Sequence, residues 1–115
     1  MKTNNIILDK TFEFSLSIIK LYIRLKQENE FIISKQILRS VTSIGANVEE
    51  SIAAQSKKDF ISKMAIASKE TRETKYWLRL LSQSELTQID VSDYLKEIDH
   101  IINIITKIVK TSQEQ

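Results

Sequence analysis

The chain has 115 residues and a formal net charge of +2, with one glycine and neither proline nor cysteine. This length fits one domain with one core, and the scarcity of turn residues argues against β-rich architectures. The lack of cysteine excludes disulfides, thiolate metal sites and cysteine nucleophiles, which fits a reducing compartment. No apolar run approaches the ~18 residues that span a bilayer, and no signal-peptide core occurs. We therefore expect a cytoplasmic protein without a membrane partner.

Apolar residues recur at helical spacing in four segments, which predicts one domain over residues 1–115 with helices at about 5–27, 30–55, 57–84 and 91–110. Asn29 is the predicted cap of the second helix, and Ser56 is that of the third. The run Asp90–Asp93 repeats the capping pattern before the fourth helix, and a frayed tail is expected from Thr111. Short connections make consecutive helices antiparallel. The predicted fold is all-α, an antiparallel up-down-up-down four-helix bundle.

The first predicted helix carries two apolar rows. The first row is Leu8, Phe12, Leu16, Ile19 and Ile23, and the second is Ile7, Phe14, Ile18, Leu21 and Leu25. Together they are wider than the ~100° stripe that a surface helix needs. Either this helix is deeply buried in its own bundle, or another subunit covers the second row.

The second predicted helix has an apolar stripe beside a stripe of short, mostly uncharged polar residues. The polar stripe is Gln36, Ser40, Ser43, Asn47 and Glu50. The simple interpretation is a solvated face. We favour hydrogen bonds across a helix or subunit boundary, because a buried amide or carboxylate must be paired. Arg39, Arg72 and Lys75 are the candidate partners of Glu50 and Glu73. The predicted buried polar or oligomer contacts are therefore Gln36, Arg39, Ser43, Asn47, Glu50 and Glu73.

The only glycine, Gly45, lies in the middle of this helix. Glycine at such a position costs about 1 kcal/mol relative to alanine. A mid-helix glycine usually has a packing reason, so we expect another helix to approach closely there.

The third predicted helix is basic. Residues 57–83 hold seven basic side chains and three acids, whereas residues 84–115 hold three basic side chains and six acids. A solvated face with neighbouring pairs such as Lys69 and Glu73 is the simple interpretation for a monomer. In a ring the same flank would repeat around the axis and create a strong field that attracts phosphates. The candidate nucleic-acid-binding residues are Lys69, Arg72, Lys75 and Arg79.

Catalytic and metal-binding patterns are weak. The segment Glu97–His100 has the Glu-x-x-His spacing of di-iron bundles, but such a site needs this motif on two helices and the chain has one histidine. No glycine-rich phosphate loop occurs. Carboxylates such as Glu50, Glu70 and Glu73 more often pair with basic residues in bundles. We expect no enzymatic activity, no metal and no cofactor.

The second helix also carries a family resemblance. Its residues Gln36, Arg39, Ser43, Ile44, Asn47 and Glu50 resemble the pattern Q-x-x-R-x-x-x-S-I-x-x-N-x-x-E of the four-helix-bundle proteins encoded in intervening sequences of bacterial 23S rRNA genes. The segment from Ser56 to Leu81 fits the next helix of that family. The chain departs from the commoner N-I-A-E-G form at Val48, Glu49 and Ser51. Ser51 in place of glycine predicts that the second helix continues a turn further.

The resemblance implies a homo-oligomer, with five copies in a ring. A related protein, the accessory variability determinant of diversity-generating retroelements, resembles a basic pentameric barrel that binds nucleic acid and a reverse transcriptase. The function expected for this chain is non-enzymatic binding, with RNA or DNA as the partner. The alternative is a structural or scaffolding module that binds a protein and has no nucleic-acid role.

Overall fold

The computed structural model of the chain describes residues 2–115, with side chains from Ile6 onward. It contains four helices: α1 (Lys2–Gln27), α2 (Ile33–Ile52), α3 (Lys57–Gln83) and α4 (Ser92–Gln113). Each helix packs against the next along the chain, and α4 returns to α1. The described residues form no strand, and the bundle measures 46 × 20 × 20 Å. The predicted all-α four-helix bundle is confirmed.

One continuous core runs along the bundle axis. Each helix contributes residues at steps of three and four, which bring them to one side of a helix with 3.6 residues per turn. On α3 the buried seam contains two threonines and one alanine, as expected for a helix that its neighbours approach closely. The buried apolar residues are Ile7, Phe14, Ile18, Leu21, Leu25, Ile37, Val41, Ile44, Val48, Met64, Ala67, Leu78, Leu81, Val91, Ile98, Ile101, Ile105 and Ile108.

The second apolar row of α1 lies in this core, whereas Phe12, Leu16, Ile19 and Ile23 of the first row are exposed. Leu8 is partly buried. The structure therefore matches neither of the two arrangements that we expected for α1, deep burial in its own bundle or a second row covered by another subunit. The helix is not deeply buried, because α2 and α4 cover only one side of it. The row that remains accessible to a partner is the first row, not the second.

The connection between α1 and α2 corrects the predicted cap. Asn29 has φ 64°, and its N–H donates to the Lys26 carbonyl at 2.9 Å. The N–H of Glu30 reaches back to the Leu25 carbonyl, also at 2.9 Å. This pair of bonds is a Schellman ending, in which asparagine tolerates the left-handed conformation. Asn29 therefore ends α1 and does not cap α2.

Glu30 caps α2 from a position just before the helix. Its carboxylate accepts hydrogen bonds from the backbone N–H groups of Ile32, Ile33 and Ser34 at 3.0, 2.9 and 2.6 Å. These donors belong to the first turn, where no carbonyl of the helix is available. The helix begins at Ile33, three residues after the predicted start, because Glu30 acts as an acceptor outside it.

The other helix ends follow the predictions in part. Ser56 caps α3 by accepting from the Asp59 N–H at 3.0 Å. Before α4, the Asp90 carboxylate accepts from the Ser92 N–H at 2.9 Å. The extra turn predicted after Ser51 is absent, because α2 ends at Ile52. The expected frayed tail is also wrong in part, since α4 continues to Gln113.

Gly45 faces α1. A methyl group built on Gly45 would lie 3.4 Å from Ser15 Oγ and 3.9 Å from the Thr11 carbonyl oxygen. The expected neighbouring helix is present. The space is nevertheless sufficient for an alanine side chain, so the approach of α1 alone does not require glycine.

Within residues 2–115, none of the helices combines the length and the apolar character needed to cross a bilayer.

Candidate functional site

The polar stripe of α2 makes one buried contact with α3. Ser40 Oγ lies 2.8 Å from Thr74 Oγ1, and both residues are fully buried. Thr74 Oγ1 also donates to the carbonyl of Glu70 at 2.9 Å. Ser40 Oγ likewise lies 3.2 Å from the Ile37 carbonyl of its own helix, so each hydroxyl has a backbone acceptor and either one can donate in the contact between the helices. The pair links α2 to α3 inside the core.

Arg39 is the centre of a charged cluster on the surface between α2 and α3. Its guanidinium pairs with the carboxylates of Glu70, at 3.5 Å, and Glu73. Gln36 accepts from Arg39 Nε at 3.1 Å, and Trp77 donates its indole N–H to Glu73 at 3.0 Å. The predicted pairing of Arg39 with Glu73 is therefore present. In an exposed setting such pairs contribute little stability, but five side chains held in one network define the shape of this surface.

The rest of the predicted stripe makes fewer contacts than expected. Asn47 is half-buried and donates to the carbonyl and hydroxyl of Ser43, at 2.9 and 3.3 Å, within the same helix. Glu50 is exposed and pairs with Lys63 at 3.1 Å. Its partner is thus none of the three basic residues proposed from the sequence. The side chain of Lys63 lies closer because α3 begins beside the end of α2. A role for these residues between subunits stays a prediction.

Three of the four predicted nucleic-acid-binding residues meet at a groove between α3 and α4. Arg72, Lys75 and Arg79 line it together with Asp99 and Asn103 of α4. Lys75 forms an ion pair with Asp99 at 2.7 Å, which reduces the positive charge of the groove. Lys69 is also exposed on α3 but does not line the groove. We call Arg72, Lys75 and Arg79 the basic groove.

The sequence did not single out the α4 side of this groove. Asp99 and Asn103 are four residues apart, so they lie on one face of α4, and that spacing was the available signal. The sequence does not show how α4 is rotated about its own axis relative to α3, so it does not show that this face of α4 borders the groove. An exposed aromatic ring, that of Tyr76, also borders the groove. It packs edge-on against Trp77 with ring centres 5.1 Å apart.

The Glu-x-x-His motif does not build a metal centre. His100 Nδ1 lies 3.4 Å from Glu97 Oε1, and Lys10 Nζ approaches the same oxygen at 3.7 Å. Both distances are too long for strong hydrogen bonds. Along residues 2–115, no three histidine or carboxylate side chains converge as a metal site would require. His100 is an exposed residue on an ionic surface.

A row of exposed apolar residues lies on the outer face of α1, which we define as Phe12, Leu16, Ile19 and Ile23. These side chains are between 39% and 59% exposed. At 100° per residue, the centre of this face points about 160° away from the centre of the buried row. No helix of the described chain covers it, since α1 packs against α2 and α4 on the other side.

The chain is similar to known proteins over nearly its whole length. A family model described as 23S rRNA-intervening sequence protein matches residues 3–107. One similar solved structure is the crystal structure of a protein with unknown function from the S23 ribosomal protein family, from Bacteroides thetaiotaomicron. The two chains are 41% identical, the match covers 94% of this chain and 98% of the other, and the TM-score is 0.85. A search of curated protein sequences finds no significant match.

Proposed function

The chain belongs to the family of 23S rRNA-intervening sequence proteins, and on this basis we propose that it is a non-enzymatic, oligomeric binding protein for nucleic acid. Copies join through the outer face of α1. The assembled ring, with five copies as the resemblance implies, presents the basic groove of each subunit to phosphates.

The outer face of α1 is the observation that carries this proposal. Its four large apolar residues form a stripe about 16 Å long at 1.5 Å per residue. Scattered apolar residues on a surface need no explanation, but a contiguous row on one helix is typical of an interaction site. A second copy is the occupant because this small bundle has already filled its own core with the other row of the same helix.

The basic groove supports the second half of the proposal. Arg72 and Arg79 are exposed, whereas the Lys75 charge is shared with Asp99. One subunit therefore offers only a modest field. Repeated around a ring axis, the same groups act together on a polyanion, and their attraction for phosphates rises accordingly. Exposed Tyr76 adds an aromatic surface on which a base can stack.

Light scattering on the wild-type chain tests the assembly. We expect a molar mass of about five times the 13.3 kDa of one chain. The double substitution Leu16→Glu and Ile19→Glu places two charges on the outer face and should give a helical monomer, as checked by circular dichroism. Thr106→Glu adds the same side chain at an exposed position of α4 and is the matched control. A monomeric wild-type chain at micromolar concentration would overturn the oligomer.

Fluorescence anisotropy with labelled single-stranded RNA and DNA tests the ligand. We expect binding at 25 mM salt that weakens steeply toward 200 mM, and weaker binding with a flatter salt dependence for Arg72→Glu and Arg79→Glu. Lys58→Glu, exposed near the start of α3 and outside the groove, is the control. An absence of binding at low salt would remove nucleic acid and leave a module that binds a protein partner.

A further inference from the structure

A cavity of about 1060 Å³ opens at the end of the bundle where α1 begins and α4 ends. The connection between α2 and α3 forms its third side. Ligand pockets in proteins are usually about 300–1,000 Å³, so this space is sufficient for a small molecule. It is separate from both the outer face of α1 and the basic groove.

The wall of the cavity is largely aliphatic. Ile52 is the last residue of α2, Phe60 comes from the first turn of α3, and Ile104 comes from α4. Phe60 and Ile104 are partly buried and pack against the core, whereas Ile52 is 42% exposed. The bundle core therefore continues into the cavity as an apolar surface that the described chain leaves uncovered.

The rim of the cavity is positively charged. Lys10, Lys57 and Lys107 line it, together with His100, and no aspartate or glutamate does so in the part of the chain that the structure describes. The Lys57 ammonium donates to the Gln115 backbone carbonyl, and Lys10 approaches Glu97 from the edge. Lys107 is exposed on α4. Glu97 partly offsets the charge of Lys10, so Lys57 and Lys107 supply most of the positive charge above the apolar wall. This arrangement fits a ligand with an anionic head and an apolar tail.

We propose that this cavity binds a single-chain anionic amphiphile, a medium-chain fatty-acid carboxylate. The carboxylate lies among the lysines of the rim, with Lys107 as the principal partner. The tail packs against Ile52, Phe60 and Ile104. The lining also includes polar side chains, among them Gln55, Ser56 and Ser112. A nucleotide is therefore the competing occupant, and a chain-length series distinguishes it from a fatty acid.

Isothermal titration calorimetry with dodecanoate, below its micelle concentration, tests the proposal. Octanoate and decanoate give a chain-length series, in which each two added methylene groups should tighten binding about fifteenfold, the equivalent of ~0.8 kcal/mol per methylene. Dodecyltrimethylammonium has the same tail with a cationic head and should bind at least about tenfold more weakly than dodecanoate. Equal binding of the two heads, or no dependence on chain length, would overturn the proposal.

Two variants connect the binding to the cavity. Ile52→Asp places a charge on the apolar wall at an exposed position, and Lys107→Glu reverses a charge of the rim. Each should weaken dodecanoate binding by about tenfold or more. Lys35→Glu, exposed on α2 outside the cavity, is the control and should bind as the wild type does. Unchanged affinity in both cavity variants, with helical content intact by circular dichroism, would also overturn the proposal.

Discussion

Glu30→Ala should destabilise the fold by about 3 kcal/mol, because Glu30 is the acceptor for three backbone donors at the start of α2. The N–H of Ser34 is buried and cannot be hydrated when the carboxylate is removed. An unsatisfied buried donor costs about 1–3 kcal/mol. Ile32 is exposed, so its N–H regains water and the loss there is about 0.5 kcal/mol, and Ile33 lies in between. The sum exceeds the ~1 kcal/mol of an ordinary helix cap because the acceptor is charged and serves three donors.

Thermal melting followed by circular dichroism measures this effect. For 115 residues, an unfolding entropy of about 2.1 cal/mol/K per residue makes 1 kcal/mol equivalent to about 4 °C, so Glu30→Ala should melt about 12 °C below the wild type. Protein concentration must be the same in all samples, since association shifts the melting temperature. Glu49→Ala, at an exposed position of the same helix, should change it by no more than about 2 °C. A Glu30→Ala variant that melts within 2 °C of this control would refute the capping argument.

Three further perturbations test smaller features. Gly45→Ala should stabilise the chain by up to about 1 kcal/mol, since the added methyl group finds ordinary contact distances; a lower melting temperature would show that the approach of α1 is tighter. Ser40→Ala and Thr74→Val should each cost about 1 kcal/mol, and the double variant should cost less than their sum, as denaturant unfolding of the cycle would show; strict additivity would contradict the shared contact. The hydrogen bonds of the Ser92 backbone and side chain, with a smaller contribution from Lys96, lower the pKa of Asp90 below 3.8. This carboxylate therefore stabilises the native state above pH 3.8, and the contribution is lost as pH falls through the lower native value. Asp90→Asn should be less stable than the wild type near pH 6 and equal to it at the lowest pH of a titration, whereas a constant difference would exclude the linkage.

The four helices and most of their buried faces were predictable because apolar spacing alone determines them. On α3 the spacing predicts a buried seam of seven residues, of which six are buried and Phe60 is partly buried. The seam is Phe60, Met64, Ala67, Thr71, Thr74, Leu78 and Leu81. On α1 spacing was insufficient, because both rows are strongly apolar and only the location of the neighbouring helices distinguishes them. The prediction for the connection at Asn29 and Glu30 was wrong for a different reason. Asparagine is a preferred cap by type and glutamate is not, but the backbone conformation of Asn29 makes it the end of α1 and leaves Glu30 to accept from the first turn of α2.

The candidate sites depended on relations between helices that a single sequence does not contain. Arg39 was one of three candidate partners named for Glu50 and Glu73, and it pairs with Glu73 across the contact of α2 and α3. The partner of Glu50 was missed, since the exact point at which α3 begins beside α2 selects Lys63. The cavity was not anticipated at all. Its lining comes from the ends of four helices, and no segment taken alone contains its pattern of lysines and isoleucines.

Of the four adjacent helix pairs, α1 and α4 touch each other least. The cavity opens at one end of this seam, with Lys10 on the α1 side and Ile104 and Lys107 on the α4 side. A molecule seated there would supply contacts that the two helices do not make with each other. A bound ligand would then stabilise the native bundle, and the melting temperature of the protein would depend on whether the cavity is occupied.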